Sequence, residues 1–188
     1  MTELVHTFRP NVFSSERSFR LGPDSLIWKD AQREDRLDYG EIATLNIASM
    51  TPPFGKPQSR CVLHPHSGGK IVLQSTSYKR PGIVEDCSAS YVPMVRELMQ
   101  RIMVANPQAT FMAGQPWAMW CFWLIILIAN ALILLLALIL ALTGEFPLPA
   151  AAALMIVVAG VPLSWRVVRH GRPHPFDPRT LKEGELPG

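Results

Sequence analysis

Two hydrophobic patterns divide the chain. Over roughly the first 110 residues, apolar and polar positions alternate in short runs. From Trp117 polar positions nearly vanish: Trp117–Leu142 reads WAMWCFWLIILIANALILLLALILAL, without a charge. At about 1.5 Å per residue a helix over this run is roughly 39 Å long, against about 30 Å for a bilayer core. The excess predicts tilt, or a first turn in the headgroup layer. Pro116 suits the first helical position, which needs no amide hydrogen. A second run, FPLPAAAALMIVVAGVPLSW, spans Phe146–Trp165 and carries Pro147, Pro149 and Pro162.

The sequence therefore predicts an all-α transmembrane hairpin. Its helices are 117–142 and 148–168, joined by a periplasmic turn at 143–147. Basic residues stay cytoplasmic during insertion, so Arg166, Arg169 and Arg172 predict cytoplasmic N- and C-termini. Trp117, Trp120, Trp123 and Trp165 fall at the same expected face, where indole rings favour headgroups. Together these seven residues are the expected membrane-interface anchors. Asn130, near mid-span, is the expected interhelical contact.

The alternating part predicts strands at SFRLG, SLIWKD, DRLDY, IATLNIAS, SRCVLHPH and KIVLQSTS, with Gly82–Asp86 as a seventh. Ser67-Gly68-Gly69 predicts a tight hairpin. The stretch 51–58, with three prolines, predicts a loop. SYVPMVRELMQRIMVAN then carries Tyr91, Val95, Leu98, Met99 and Ile102 as one apolar helical stripe, with Ser90 placed to cap it. Strands closed by one helix predict an α+β soluble domain.

Charge sharpens the division. Residues 1–110 hold 13 Lys/Arg and 11 Asp/Glu, the run 112–165 only Glu145, and 166–188 five Lys/Arg and three acids. A net charge of +3 gives no footprint for nucleic acid. Cys61, Cys87 and Cys121 lie at neither metal nor redox spacing and predict reduced thiols. His64 and His66 would need two further metal ligands, and none is near in sequence. Ser67–Lys70 lacks the glycine and hydroxyl of a phosphate loop. No catalytic, cofactor-binding or metal-binding residue is expected, and no cofactor or specific small-molecule substrate.

The motifs FRLGPDSLIWKD, RLDYGEIATLNI and SYVPMVRELMQRI, with Tyr39-Gly40-Glu41-Ile42 stepping into the next strand, resemble the pleckstrin-homology-like domains of bacterial membrane proteins. The resemblance covers about 15–106. It implies a seven-stranded bent β-barrel of two near-orthogonal sheets with a C-terminal capping helix. Eukaryotic relatives bind phosphoinositides through basic residues around the first hairpin loop. Here that loop is Gly22-Pro23-Asp24-Ser25, which is acidic and flanked only by Arg20 and Lys29. The organisation expected is an arm at 1–14, this domain at 15–106, a linker at 107–116, the hairpin, and a cytoplasmic Pro-rich tail at 169–188.

These features predict a non-enzymatic interaction or scaffold module on a bacterial inner membrane, in contact with the lipid bilayer and with a membrane protein partner or further copies of itself. The alternative is an anionic-lipid-sensing module. A small transporter subunit or an enzyme ranks below both.

Overall fold

The computed structural model describes residues 4–31, 33–50, 58–143, 148–181 and 186. The chain forms two compact units. Unit 1 is Met1–Gly114 together with His174–Gly188, and unit 2 is Gln115–Pro173.

Unit 1 is α+β. A four-stranded antiparallel sheet follows chain order: β1 (Val5–Phe8), β2 (Arg17–Leu21), β3 (Ser25–Asp30) and β4 (Arg33–Asp38). One face buries a row of aromatic rings. Phe8 stacks on Phe19 at 5.7 Å and Phe19 on Trp28 at 6.4 Å between centroids. Arg17 pairs with Asp30 at the end of that same face, and the other face pairs Arg20 with Glu34 across strands. A 3-10 turn at Tyr39–Glu41 leads into β5 (Ile42–Met50). Next come β6 (Gln58–Pro65) and β7 (Ile71–Gln74), antiparallel in turn. A register shift between Ile42 and Thr44 lets Ile42, Leu45 and Ile47 all reach the core. The β6–β7 hairpin turns on Gly68 and Gly69, both at positive φ, as the sequence predicts. A separate ribbon, β8 (Thr76–Arg80) with β9 (Ile83–Asp86), precedes α1 (Ser88–Ala105). The predicted stripe Tyr91, Val95, Leu98, Met99 and Ile102 is buried, with Met94 added.

Several expectations are corrected. The barrel of seven strands gives way, among the described residues, to eleven strands in sheets of four, five and two. Part of the expected arm is β1, which pairs with β2. Within the expected linker, Thr110–Ala113 forms β10, parallel to β5. The stretch expected as a tail returns to unit 1: His174–Pro175 forms β11 beside β10, and Phe176 packs edge-on against Phe111 at 6.1 Å. Arg96 donates to the Leu181 carbonyl at 3.2 Å. An eight-residue stretch that sequence reads as polar and proline-rich thus holds Phe176 and Leu181, which supply the apolar surface that docks it. Most of the loop expected at 51–58 lies outside the described residues.

Unit 2 holds α2 (Trp117–Leu142) and α3 (Leu148–His170). Among the described residues one helix, α2 over Trp117–Leu140, is long and apolar enough to cross a membrane. The expected all-α transmembrane hairpin of two spanning helices is therefore corrected: the described residues hold three α-helices, several sheets and one such candidate span. Pro162 lies inside α3, and Arg166 and Arg169 lie in its final turns, so its uncharged stretch ends at Trp165. The expected turn at 143–147, apart from Thr143, lies outside the described residues.

Candidate membrane anchor

The α2 sequence has no polar stripe. Apolar side chains face every direction, which a soluble helix does not tolerate. Twelve large apolar residues of α2, from Trp117 to Leu142, are exposed, and none of the candidate span is buried inside the protein. Each is about half covered, so transfer to an apolar phase is worth roughly 1 kcal/mol apiece and on the order of 10 kcal/mol together. That sum rivals the whole stability of a domain, about 5–15 kcal/mol.

Three contacts set the register of α2 against α3, and they show that the helices run antiparallel. The Gln115 amide donates to the Gly171 carbonyl at 3.0 Å. The Trp120 indole donates to the Val168 carbonyl at 2.9 Å. Further along, a Cβ placed at Gly160 would lie 3.5 Å from the Asn130 amide nitrogen. Asn130 thus faces α3 at a glycine, the place where helices approach most closely. On the α3 side, the buried Ser164 hydroxyl turns back to the Gly160 carbonyl at 2.8 Å. That bond satisfies the hydroxyl within its own helix.

The seven expected anchors gather at this one end, the start of α2 and the finish of α3. They do not share one role. Trp117 and Trp165 are each 55% exposed. Trp120 is tied to α3 and meets Trp117 edge-on at 5.4 Å. Trp123 lies edge-on to Phe122 at 6.2 Å. Arg166, Arg169 and Arg172 follow one another along and just beyond the last turns of α3, and all three are exposed. The last carbonyls of a helix lack intrahelical partners. Here Trp120 takes Val168, and the Gly171 amide takes Val167 at 2.8 Å. A Cβ at Gly171 would sit 2.6 Å from that Val167 oxygen, so the closure needs glycine.

In unit 1, the first hairpin loop is braced from within. The Gly22 carbonyl accepts from the Tyr39 hydroxyl at 2.9 Å and from Arg101. Arg101 is held in turn by Glu97 at 2.8 Å. The open cavity beside this loop, about 440 Å³, is lined by Asp24, Tyr39, Glu97 and Arg101 among others. Its two acids and single, already engaged arginine do not make an anion site. Arg20, flanking the same loop, is bound to Glu34 at 3.0 Å. His64 and His66 are exposed, and among the described residues no three of His, Cys, Asp and Glu converge to hold a metal.

Sequence reasoning missed His6, the one buried histidine of unit 1. Its Nε2 meets the Gln74 carbonyl at 2.8 Å and its Nδ1 the Ser90 hydroxyl at 2.9 Å. A carbonyl only accepts, so Nε2 carries the proton; Nδ1 of the neutral ring then accepts from Ser90, whose single hydroxyl hydrogen is shared with the Cys87 carbonyl at 3.1 Å. Ser90, expected as a helix cap, is thereby a tie to β1. The cap position itself is Cys87, without a side-chain cap bond, and Asp86 just before it accepts the Ser88 amide at 2.9 Å. Burial lowers the His6 pKa below its ordinary value, with the Gln74 bond opposing. The signal available in sequence was the alternation Val5-His6-Thr7-Phe8, which places His6 on the face of Phe8.

No family model matches the chain, and neither the curated proteins nor the solved structures yield a match.

Proposed function

We propose that this protein is a non-enzymatic, membrane-anchored interaction module that holds its α+β unit at the cytoplasmic face of a bacterial inner membrane. The observation that carries this reading is the apolar surface of α2, exposed along its candidate span outside its contacts with α3 and with none of that span fully buried. Water makes such a surface costly, while a bilayer is its natural solvent. The chain leaves unit 1 after β10 and rejoins it at β11, and these strands are paired. That pairing supports both flanks of unit 2 lying on one side of the bilayer. Arg166, Arg169 and Arg172 support the cytoplasmic side. Tethering raises the effective concentration of unit 1 for neighbours in the membrane, which suits a membrane protein partner or a second copy.

Two measurements test this. The chain should stay with membranes through an alkaline carbonate wash. A reporter active only outside the cytoplasm should work when inserted after Thr143 and fail when fused at Gly188. Release by carbonate sinks the anchoring, and the opposite reporter pattern sinks the orientation. Crosslinking in native membranes followed by mass spectrometry should recover a defined protein partner or a dimer of this chain. A chain recovered only as a solitary monomer overturns the interaction role.

A further inference from the structure

One end of unit 1 combines exposed apolar side chains with basic ones. Two contacts define it. His6 on β1 meets Gln74, and Arg9, just past β1, accepts from the Tyr78 amide at 3.1 Å. The segments 6–9 and 74–78 therefore run side by side in the same direction, and the loops that follow them emerge at the same end. The first loop presents Phe13, 98% exposed. Its position is built: Asn11 Oδ1 accepts the Phe13 amide at 2.9 Å. The second is the tip of the β8–β9 ribbon, which turns on Gly82 at positive φ and pairs Arg80 with Ile83. Ile83 is 54% and Val84 38% exposed. Arg9, Lys79 and Arg80 lie close to these tips along the chain, Arg80 directly across from Ile83. The acids of the ribbon lie toward its base, where Glu85 pairs with Ser77 and Asp86 with Thr76 across the strands, and Lys79 reaches Glu85 at 2.9 Å.

We infer that this end of unit 1 is a membrane-docking edge: Phe13 and Ile83 enter the interface of an anionic bilayer while Arg80 and Arg9 meet its phosphates. A stable protein partner needs about 800 Å² of continuous surface on each side. Two narrow loop tips do not form such a patch, but a lipid surface accepts separate tips one ring at a time. Aromatic rings settle at headgroup depth, and basic side chains are attracted to anionic lipid there. The inference rests on the anchoring proposed above, which keeps unit 1 within reach of the surface, so weak insertion suffices.

The test uses the full chain in lipid nanodiscs, with 4-fluorophenylalanine placed at position 13 or, as a control, at position 104, an exposed site on the last turn of α1. Lipids carrying a headgroup nitroxide broaden fluorine signals near the surface. Signal 13 should broaden at least five-fold more than signal 104 in discs containing phosphatidylglycerol. That excess should fall to the control level in phosphatidylcholine discs, in high salt, or with Arg80→Glu. Equal broadening at 13 and 104 while the chain still floats with the discs overturns docking and leaves anchoring intact. Separation of the chain from lipid overturns the anchor first. A photo-crosslinker at position 13 that captures protein rather than lipid in native membranes also overturns docking.

Discussion

The indole of Trp120, in the first turn of α2, donates to the carbonyl of Val168 in the last turn of α3, at 2.9 Å. This bond joins residues 48 apart in sequence. A tryptophan expected at the membrane interface is also a fastener between two helices. In an apolar surrounding an orphaned carbonyl costs about 1–3 kcal/mol.

Trp120→Phe keeps the ring and removes the donor. It should destabilise unit 2 by about 1–2 kcal/mol. Trp117→Phe, at an exposed ring, should change stability by less than about 0.5 kcal/mol. Denaturation in detergent micelles, followed by the remaining tryptophan fluorescence, compares the two. Equal effects would mean that the hydrogen bond adds nothing.

The returning C-terminal segment makes a second prediction. Phe176 is half-buried against Phe111, so Phe176→Ala should cost about 1–2 kcal/mol, less than a fully buried ring. Ending the chain after Pro173 removes β11, this ring contact and the Arg96–Leu181 bond together, and should cost more. Amide exchange in β10 reads both: protection should drop in the point variant and further in the truncation. Unchanged exchange at Thr110–Ala113 would show that the segment is only draped over the unit.

Local pattern carried much of this fold. The α1 stripe, the α2 run, the turn at Gly22–Ser25 and the glycines at 68–69 are each decided by neighbours a few residues away, and each stands where the sequence placed it. What was illegible depends on partners far along the chain. Thr110–Ala113 is too short to announce a strand, and its pairing with β5 crosses more than 60 residues. β11 has two residues, one a proline, and is a strand only because β10 lies beside it. At the candidate anchor, sequence identified the tryptophans and arginines and their common end. It could not tell that Trp120 hydrogen-bonds inward while Trp117 and Trp165 stay exposed. It also read a second spanning helix from composition, whereas α2 is the one candidate span among the described residues.

His6 gives a pH dependence whose sign can be worked out. It is fully buried, clasped between Gln74 and Ser90, and packed against Phe8 and Tyr91. Burial lowers its pKa in the fold, so the native state favours the neutral ring, whereas the unfolded chain titrates near 6.5. Above that value neither state binds the proton, and stability does not depend on His6. As pH falls below about 6.5 the unfolded chain takes up a proton that the fold refuses. Stability then drops by up to about 1.4 kcal/mol per pH unit, until the folded pKa is reached. Asp30 also shifts downward, chiefly through its bond from Ser15, but a carboxylate acts in a window near pH 4 and below. Between pH 5 and 7 the histidine therefore dominates this pair. His6→Gln can still donate to the Gln74 carbonyl and accept from Ser90, but it does not titrate. The unfolding midpoint of the natural chain should fall between pH 7 and 5, and that of His6→Gln should stay flatter over the same range. Near-ultraviolet circular dichroism of the tyrosines and tryptophans during denaturant titration would follow both. Parallel curves would show that His6 titrates alike in the folded and unfolded states, and the buried clasp would lose its pH dependence.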